Sequence, residues 1–276
     1  MRVLLRSALV SAGLVATAGL FAPVAAAGAS VNVLVLKEHG VGSAAQAQPY
    51  LDKFVANAAK ENGWAEAKGQ YEVKRAGGEA YVQGQKPHYG ILSLGAFLAF
   101  NAKYKVEPIG QAVVAQGGGQ QYFLISKTAA DLAGCKGKRL ASDHADDPQF
   151  IDRVASGGNF KLADFTLVTT TRPLQTTRKV ISDEADCALV DDAQIAELAH
   201  LDGAAGVKTV WSGAKLPPMV VAAFPDAPAA ERAAFQGSLG KLCSIDKASC
   251  DAVGLTSLGG GGAGAYAGVI AAYNKP

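Results

Sequence analysis

The chain has 276 residues, 49% of them hydrophobic, and its 26 basic and 24 acidic side chains leave a net charge of +2. That balance excludes general nucleic-acid binding, which draws its affinity from clustered Lys and Arg. The length suits one large domain or two lobes of ordinary size.

The chain opens with a positive start, Arg2 and Arg6, and an uncharged apolar run over residues 8–24. Ala25-Ala26-Ala27-Gly28-Ala29 closes that run with small residues. This is the pattern of a secretory signal peptide, residues 1–27, cut after Ala27 or nearly as well after Ala29. A membrane anchor is the rival reading, but no stop-transfer charges follow and a strand-like run begins at once. Removing the two arginines leaves 24 basic against 24 acidic side chains. The expected mature protein is therefore neutral, periplasmic and remote from cytosolic ATP or NAD. No cysteine lies near the cleavage point, so no lipid anchor is expected.

Val31-Asn32-Val33-Leu34-Val35-Leu36 reads as a buried strand, broken by Gly40-Val41-Gly42. Leu51, Phe54, Val55, Ala58 and Ala59 then recur at helical spacing until Asn62-Gly63. Residues 71–75 alternate as a second strand and 89–94 form a third. Gly95 leads into a helix carrying Phe97, Leu98 and Phe100, and residues 106–114 are extended. This alternation predicts an α/β fold, a parallel sheet covered by helices.

Gly117-Gly118-Gly119 punctuates the chain. Strands follow at 121–126, 139–142, 165–170 and 187–190. Asp147 before Pro148 starts one helix, and Pro173 opens another with Leu174, Thr177 and Ile181 on one face. Asp192 is placed as the cap of a helix over 193–201. Short extended runs at 209–211 and 219–224 flank Pro217-Pro218, and helices near 229–242 and 263–273 end the chain. The glycines at 259–262 read as a flexible turn, because a phosphate loop would need a strand before them and Gly-Lys-Ser/Thr after them. The glycine run at 117–119 and the Pro217-Pro218 region are the two expected crossings between two α/β units. Lobe 1 is then 28–112 with 219–276, and lobe 2 is 113–218.

Four cysteines in an oxidising compartment suggest disulfides. Cys243 and Cys250, close in sequence, make the better pair. Cys135 with Cys187 requires both in one lobe. A zinc-cysteine site would favour a C-x-x-C pair, which the chain lacks.

Several segments, taken in order, resemble phosphonate-type periplasmic solute-binding proteins. Gly90-Ile91-Leu92-Ser93-Leu94-Gly95 resembles their strand-to-helix turn, and Val106-Glu107-Pro108-Ile109 their next strand. Asp131-Leu132-Ala133-Gly134 with Lys136-Gly137-Lys138-Arg139-Leu140-Ala141 resembles a further turn and strand. Ala185-Asp186-Cys187-Ala188-Leu189-Val190-Asp191 resembles another. The likeness runs over about nine tenths of the mature chain. It implies the type II periplasmic binding protein fold, in which two hinged lobes of mixed sheets flanked by helices close over a small polar or anionic, phosphate- or phosphonate-like solute. It also implies a monomer that serves an ABC permease complex, with no cofactor and no catalysis. One departure stands out. Where the family often has a Ser/Thr-rich turn, this chain has Ser142-Asp143-His144-Ala145-Asp146-Asp147, whose three aspartates repel an anion.

Ligands in open α/β sheets meet the carboxyl ends of strands beside helix N-termini. That rule selects Glu38, His39, Ser93 and Leu94 in lobe 1. In lobe 2 it selects Ser142, Asp143, His144, Thr170, Thr171, Arg172 and Asp191, and Tyr122 follows the first crossing. Arg172 has the fork to grip a carboxylate. Glu38-His39, Asp143-His144 and Asp191 also offer a divalent-metal alternative across the cleft. His88 and His200 read as structural or exposed. There is no G-x-S-x-G elbow and no H-E-x-x-H pair. Solute capture therefore leads. A ligand-loaded sensor for a membrane kinase and a periplasmic enzyme on the same fold are the alternatives.

Overall fold

The computed structural model describes residues 29–39, 43–114, 118–261 and 264–275. The expected signal peptide and the Gly40-Val41-Gly42 break lie outside the described residues. The first part of the chain runs β1 Ser30–Leu36, α1 Ala44–Asn62, β2 Glu66–Glu72, α2 Arg75–Gln85, β3 Tyr89–Leu92, α3 Leu94–Tyr104 and β4 Glu107–Val114. The chain then crosses into β5 Tyr122–Ser126, α4 Leu132–Cys135, β6 Arg139–Ser142 and the one-turn α5 Pro148–Phe150, which continues as a wide turn over Ile151–Ala155. β7 Thr166–Thr169, α6 Pro173–Ile181, β8 Cys187–Asp191, α7 Asp192–Leu198 and β9 Lys208–Ser212 complete that unit. The return brings β10 Met219–Ala223, α8 Ala229–Ile245, α9 Lys247–Ala252, β11 Leu255–Gly259 and α10 Gly264–Tyr273.

Two separate sheets result, in the orders β11-β4-β10-β3-β1-β2 and β7-β6-β8-β5-β9. β1 lies parallel to β2 and β3, and β6 parallel to β7 and β8. β10 is antiparallel to β3 and β4, and β5 to β8 and β9. The sheets are therefore mixed rather than parallel. The reason is topological: β4 leaves the first sheet at the end where β1 and β3 finish, so the returning β10 must enter there and run backwards.

Strand alternation divides the apolar side chains between layers. Val31, Val33 and Val35 of β1 face α1 and α8, whereas Leu34 and Leu36 face the layer of α3. In β8, Cys187 and Leu189 point one way and Ala188 and Val190 the other. One apolar cluster contains both Phe97 and Tyr266 of the first lobe and Phe150 and Leu140 of the second, so the two units share a core on one side. The C-terminal α10 adds to that joint. Tyr266 Oη donates to the Met219 carbonyl at 3.2 Å within the first lobe, and the Tyr273 carbonyl crosses to the second, accepting from Gln149 Nε2 and Arg153 Nη1, each at 2.9 Å.

Both disulfides form. Cys135–Cys187 joins α4 to β8 within the second lobe, and Cys243–Cys250 joins α8 to α9. No helix among the described residues is long and apolar enough to cross a membrane. Asp147 caps α5 as expected, accepting from Phe150 N at 3.0 Å. The cap of α7 is Asp191, not Asp192. Asp191 Oδ1 accepts from Gln194 N, and Asp192 Oδ1 accepts instead from the backbone of Gln120 and Gln121 in the first crossing.

Glycine marks one tight contact in the first sheet. A Cβ on Gly110 of β4 would stand 2.5 Å from Leu239 Cδ1 and 2.6 Å from the Gly259 carbonyl oxygen. Backbone cannot yield there as a side chain can. Gly110→Ala should therefore destabilise by about 1–3 kcal/mol, read as a lower urea midpoint. An unchanged midpoint would show that β11 moves aside freely.

Candidate functional site

The carboxyl ends of β1, β3, β6 and β8 converge on one cleft of about 780 Å³ between the two sheets. Its size fits a metabolite-sized molecule. Of the residues selected from sequence, Glu38, His39, Ser93, Leu94, Tyr122, His144 and Asp191 line it. Ser142, Asp143, Thr170, Thr171 and Arg172 do not. Ser142 is fully buried, and its Oγ accepts from His144 N at 3.0 Å, so it shapes the turn. Thr170 is buried and bonded to Thr176, whose hydroxyl donates to Asp143 Oδ1 at 2.8 Å. Thr171 and Arg172 are exposed at the start of α6.

Arg75 was hidden from sequence reading. Alternation put it in a strand, but it is the first residue of α2. Glycines at 77, 78 and 84 mask that helix, and Gly78 lets it lie against Leu36, whose Cδ2 would stand 2.7 Å from an added Cβ. Once α2 is recognised, the strand-end rule selects Arg75 like the others. Its guanidinium donates from Nε and Nη2 to the two oxygens of Glu38, each at 2.7 Å, and from Nη1 to Asp147 Oδ2 at 2.6 Å. Glu38 and Arg75 belong to the first lobe and Asp147 to the second, so one forked cation ties the walls together. Ser93 Oγ donates to the same Glu38 at 3.3 Å.

A second pair of residues also meets across the cleft. The rings of His39 and His144 lie 4.4 Å apart, and Tyr122 packs edge-on to His144 at 5.2 Å. His39 sits in left-handed backbone at φ 58°, a conformation that costs a non-glycine residue about 1–2 kcal/mol. Asp143 is buried behind it. Its Oδ1 accepts from Thr176 Oγ1 and Gln194 Nε2, whereas its Oδ2 has no partner, and neither has His144 Nε2.

Acids outnumber bases around the cleft. Glu38, Asp147, Asp191, Asp192 and Glu197 stand against Lys37 and Arg75. Burial raises the carboxyl pKa of both Glu38 and Asp191, and lowers that of the Lys37 ammonium. In Asp191 both oxygens are engaged, Oδ1 by Gln194 N and Oδ2 by Gly119 N. Carboxylates of the protein thus already occupy the N-termini of α5 and α7, where an incoming anion would otherwise be cradled. Leu94, Phe150, Leu174, Leu201 and Met219 supply apolar walls.

Burial, and next the nearby His144, push the His39 imidazole down to about 4. An unfolded histidine titrates near 6.5 and so takes up its proton first as pH falls. The stability this group supports is present above pH 6.5 and lost on descending to pH 4. His39→Gln should flatten that acid loss by on the order of 2–3 kcal/mol, measured by urea unfolding at pH 7.5, 5.5 and 4.5. Parallel curves for the two proteins would show that the ring titrates normally.

No protein-family model and no curated protein matches this chain. Solved structures do. The binding protein component of an ABC phosphonate transporter from Pseudomonas aeruginosa is 13% identical, with 85% of this chain and 82% of that one covered at a TM-score of 0.58. A Xanthomonas citri protein bound to ATP is 13% identical, covering 82% and 90% at 0.64. PhnD1 of Prochlorococcus marinus, in complex with methylphosphonate, is 10% identical, covering 87% and 95% at 0.60. The fold is that of a two-lobed periplasmic binding protein. In this fold the cleft just described is the space between the lobes, and Arg75 and the two histidines reach across it.

Proposed function

We propose that this chain captures a small polar solute between its lobes outside the cytoplasm and delivers it, without catalysis, to an ABC permease complex. The lobes are 28–112 with 219–276, and 113–218. The observation that carries this reading is the cleft itself. Side chains of both lobes line it, and its walls are clasped through Arg75 to Glu38 on one side and Asp147 on the other. Such a clamp works as a population shift: a solute touching both walls favours the closed arrangement over the open one. The similar fold of the phosphonate-transporter component and of the methylphosphonate complex supports the same role.

The protein should copurify with a solute, or gain one on screening. Native mass spectrometry detects the first, and thermal-shift assays against phosphonates, sulfonates, amino acids and amines detect the second. Small-angle scattering should then show compaction on binding. Failure of every solute class to raise the melting temperature, with no copurifying molecule, would overturn the reading.

A further inference from the structure

We propose that His39, Asp143 and His144 form a site for a divalent transition-metal ion that bridges the two lobes. One donor atom of each residue lies within 4.8 Å of the other two. His39 follows β1 in the first lobe, and Asp143 and His144 follow β6 in the second. Asp143 and His144 are 6% and 4% exposed, yet Asp143 Oδ2 and His144 Nε2 have no hydrogen-bond partner. A buried polar atom left bare costs about 1–3 kcal/mol, and each of these two lacks the partner that would offset it. A metal ion supplies it, because carboxylate oxygen and neutral imidazole nitrogen are both lone-pair donors.

The surroundings suit that use. Thr176 and Gln194 hold the other oxygen of Asp143, the kind of support that orients a ligating carboxylate. Tyr122 and His39 fix the His144 ring between them. Asp146 stands 3.6 Å from His39 Nε2 and adds negative charge beside the site. Around a tetrahedral ion with bonds of about 2.0–2.2 Å, donors sit about 3.3–3.6 Å apart, so small side-chain rotations suffice to close the triad. Two nitrogens and one oxygen suit the zinc, copper and nickel class rather than calcium or magnesium, which prefer oxygen alone. Both histidines line the cleft, so a remaining coordination position faces the solute space. The ion would also offset the acidic wall. The site stands on its own donors; only its effect on closure rests on the capture reading.

The test uses the full chain stripped with EDTA and titrated with Zn²⁺ calorimetrically, with Co²⁺ as a spectroscopic stand-in. One Zn²⁺ per chain is expected, with a Co²⁺ visible spectrum of nitrogen–oxygen ligation. His39→Ala and His144→Gln should each weaken Zn²⁺ binding on the order of a hundredfold. Zn²⁺ should compact the parent in small-angle scattering but not His39→Ala. His39→Ala changes a turn residue and keeps the test open if a change at buried His144 prevents folding. No stoichiometric Zn²⁺, or unchanged affinity in His39→Ala, overturns the site. Zn²⁺ binding without compaction overturns the bridge. A solute that stabilises EDTA-treated protein while Zn²⁺ does not bind would sink the metal site and leave solute capture standing.

Discussion

Arg75→Ala should cost about 3–5 kcal/mol of stability, because it leaves two carboxylates without their cation in a poorly hydrated cleft. The Glu38 side chain is 7% exposed and that of Asp147 11%, so water does little to replace the guanidinium. The deficit should also depend on pH. Burial already holds the Glu38 carboxyl above its ordinary range, even with Arg75 beside it. Without Arg75 the folded state favours the neutral acid still more, and keeping it charged grows costlier as pH rises. The variant should therefore lose most at pH 8 and recover part of the loss at pH 5. Arg75→Lys retains the charge but not the fork that reaches Glu38 twice and Asp147 once, so it should fall between parent and alanine. Urea unfolding gives the energies, and scattering shows whether the lobes part. A loss under about 1 kcal/mol for the alanine variant would mean that the ionic hub contributes no more than a surface pair.

Replacing both Cys135 and Cys187 by alanine should cost about 4 kcal/mol, against about 2 for the Cys243–Cys250 pair. The difference follows from the lengths of chain enclosed, separations of 52 and 7 residues. Alanine is the right substitute, since Cys135 and Cys187 are 0% and 1% exposed and a serine hydroxyl would be stranded there. The long loop encloses β6, α5, β7 and α6, with Asp143 and His144 between the first two, so loss of the bridge should also loosen that wall. Equal losses from the two bridges, measured by urea unfolding, would rule out restriction of the unfolded chain as the main source of their effect.

The elements legible in the sequence are those whose chemistry is local. β1 and β8 announce themselves because most of each is buried on both faces, which leaves continuous apolar runs over 33–36 and 187–190. α5 and α6 are marked by proline in the first turn. What escaped depends on partners distant in sequence. α2 has a glycine-rich sequence that suits close packing on β1 and carries little helical signal. β11 is strand only because β4 offers it an edge, and its Leu-Thr-Ser-Leu-Gly has no force alone.

The candidate site divides in the same way. Strand-end reasoning collects seven cleft residues, because that rule concerns topology and the strands were visible. It cannot tell a side chain that faces the cleft from one turned behind it. Thr170 and one oxygen of Asp143 are engaged in a buried network with Thr176, which no local sequence pattern foretells. Arg75 was missed for one cause, the hidden helix.

The last turn of the chain has a mechanical consequence. Its terminal carbonyls are held by Gln149 and Arg153 of the opposite lobe, so the halves are fastened at a third point beyond their two connecting strands. A body pinned at three places turns only about a line passing near all of them, unless one pin gives way. Wide opening of the cleft therefore requires either that this tether detach or that the swing pivot beside it. Trimming the final residues should let the cleft open more readily, read as a larger radius of gyration in small-angle scattering.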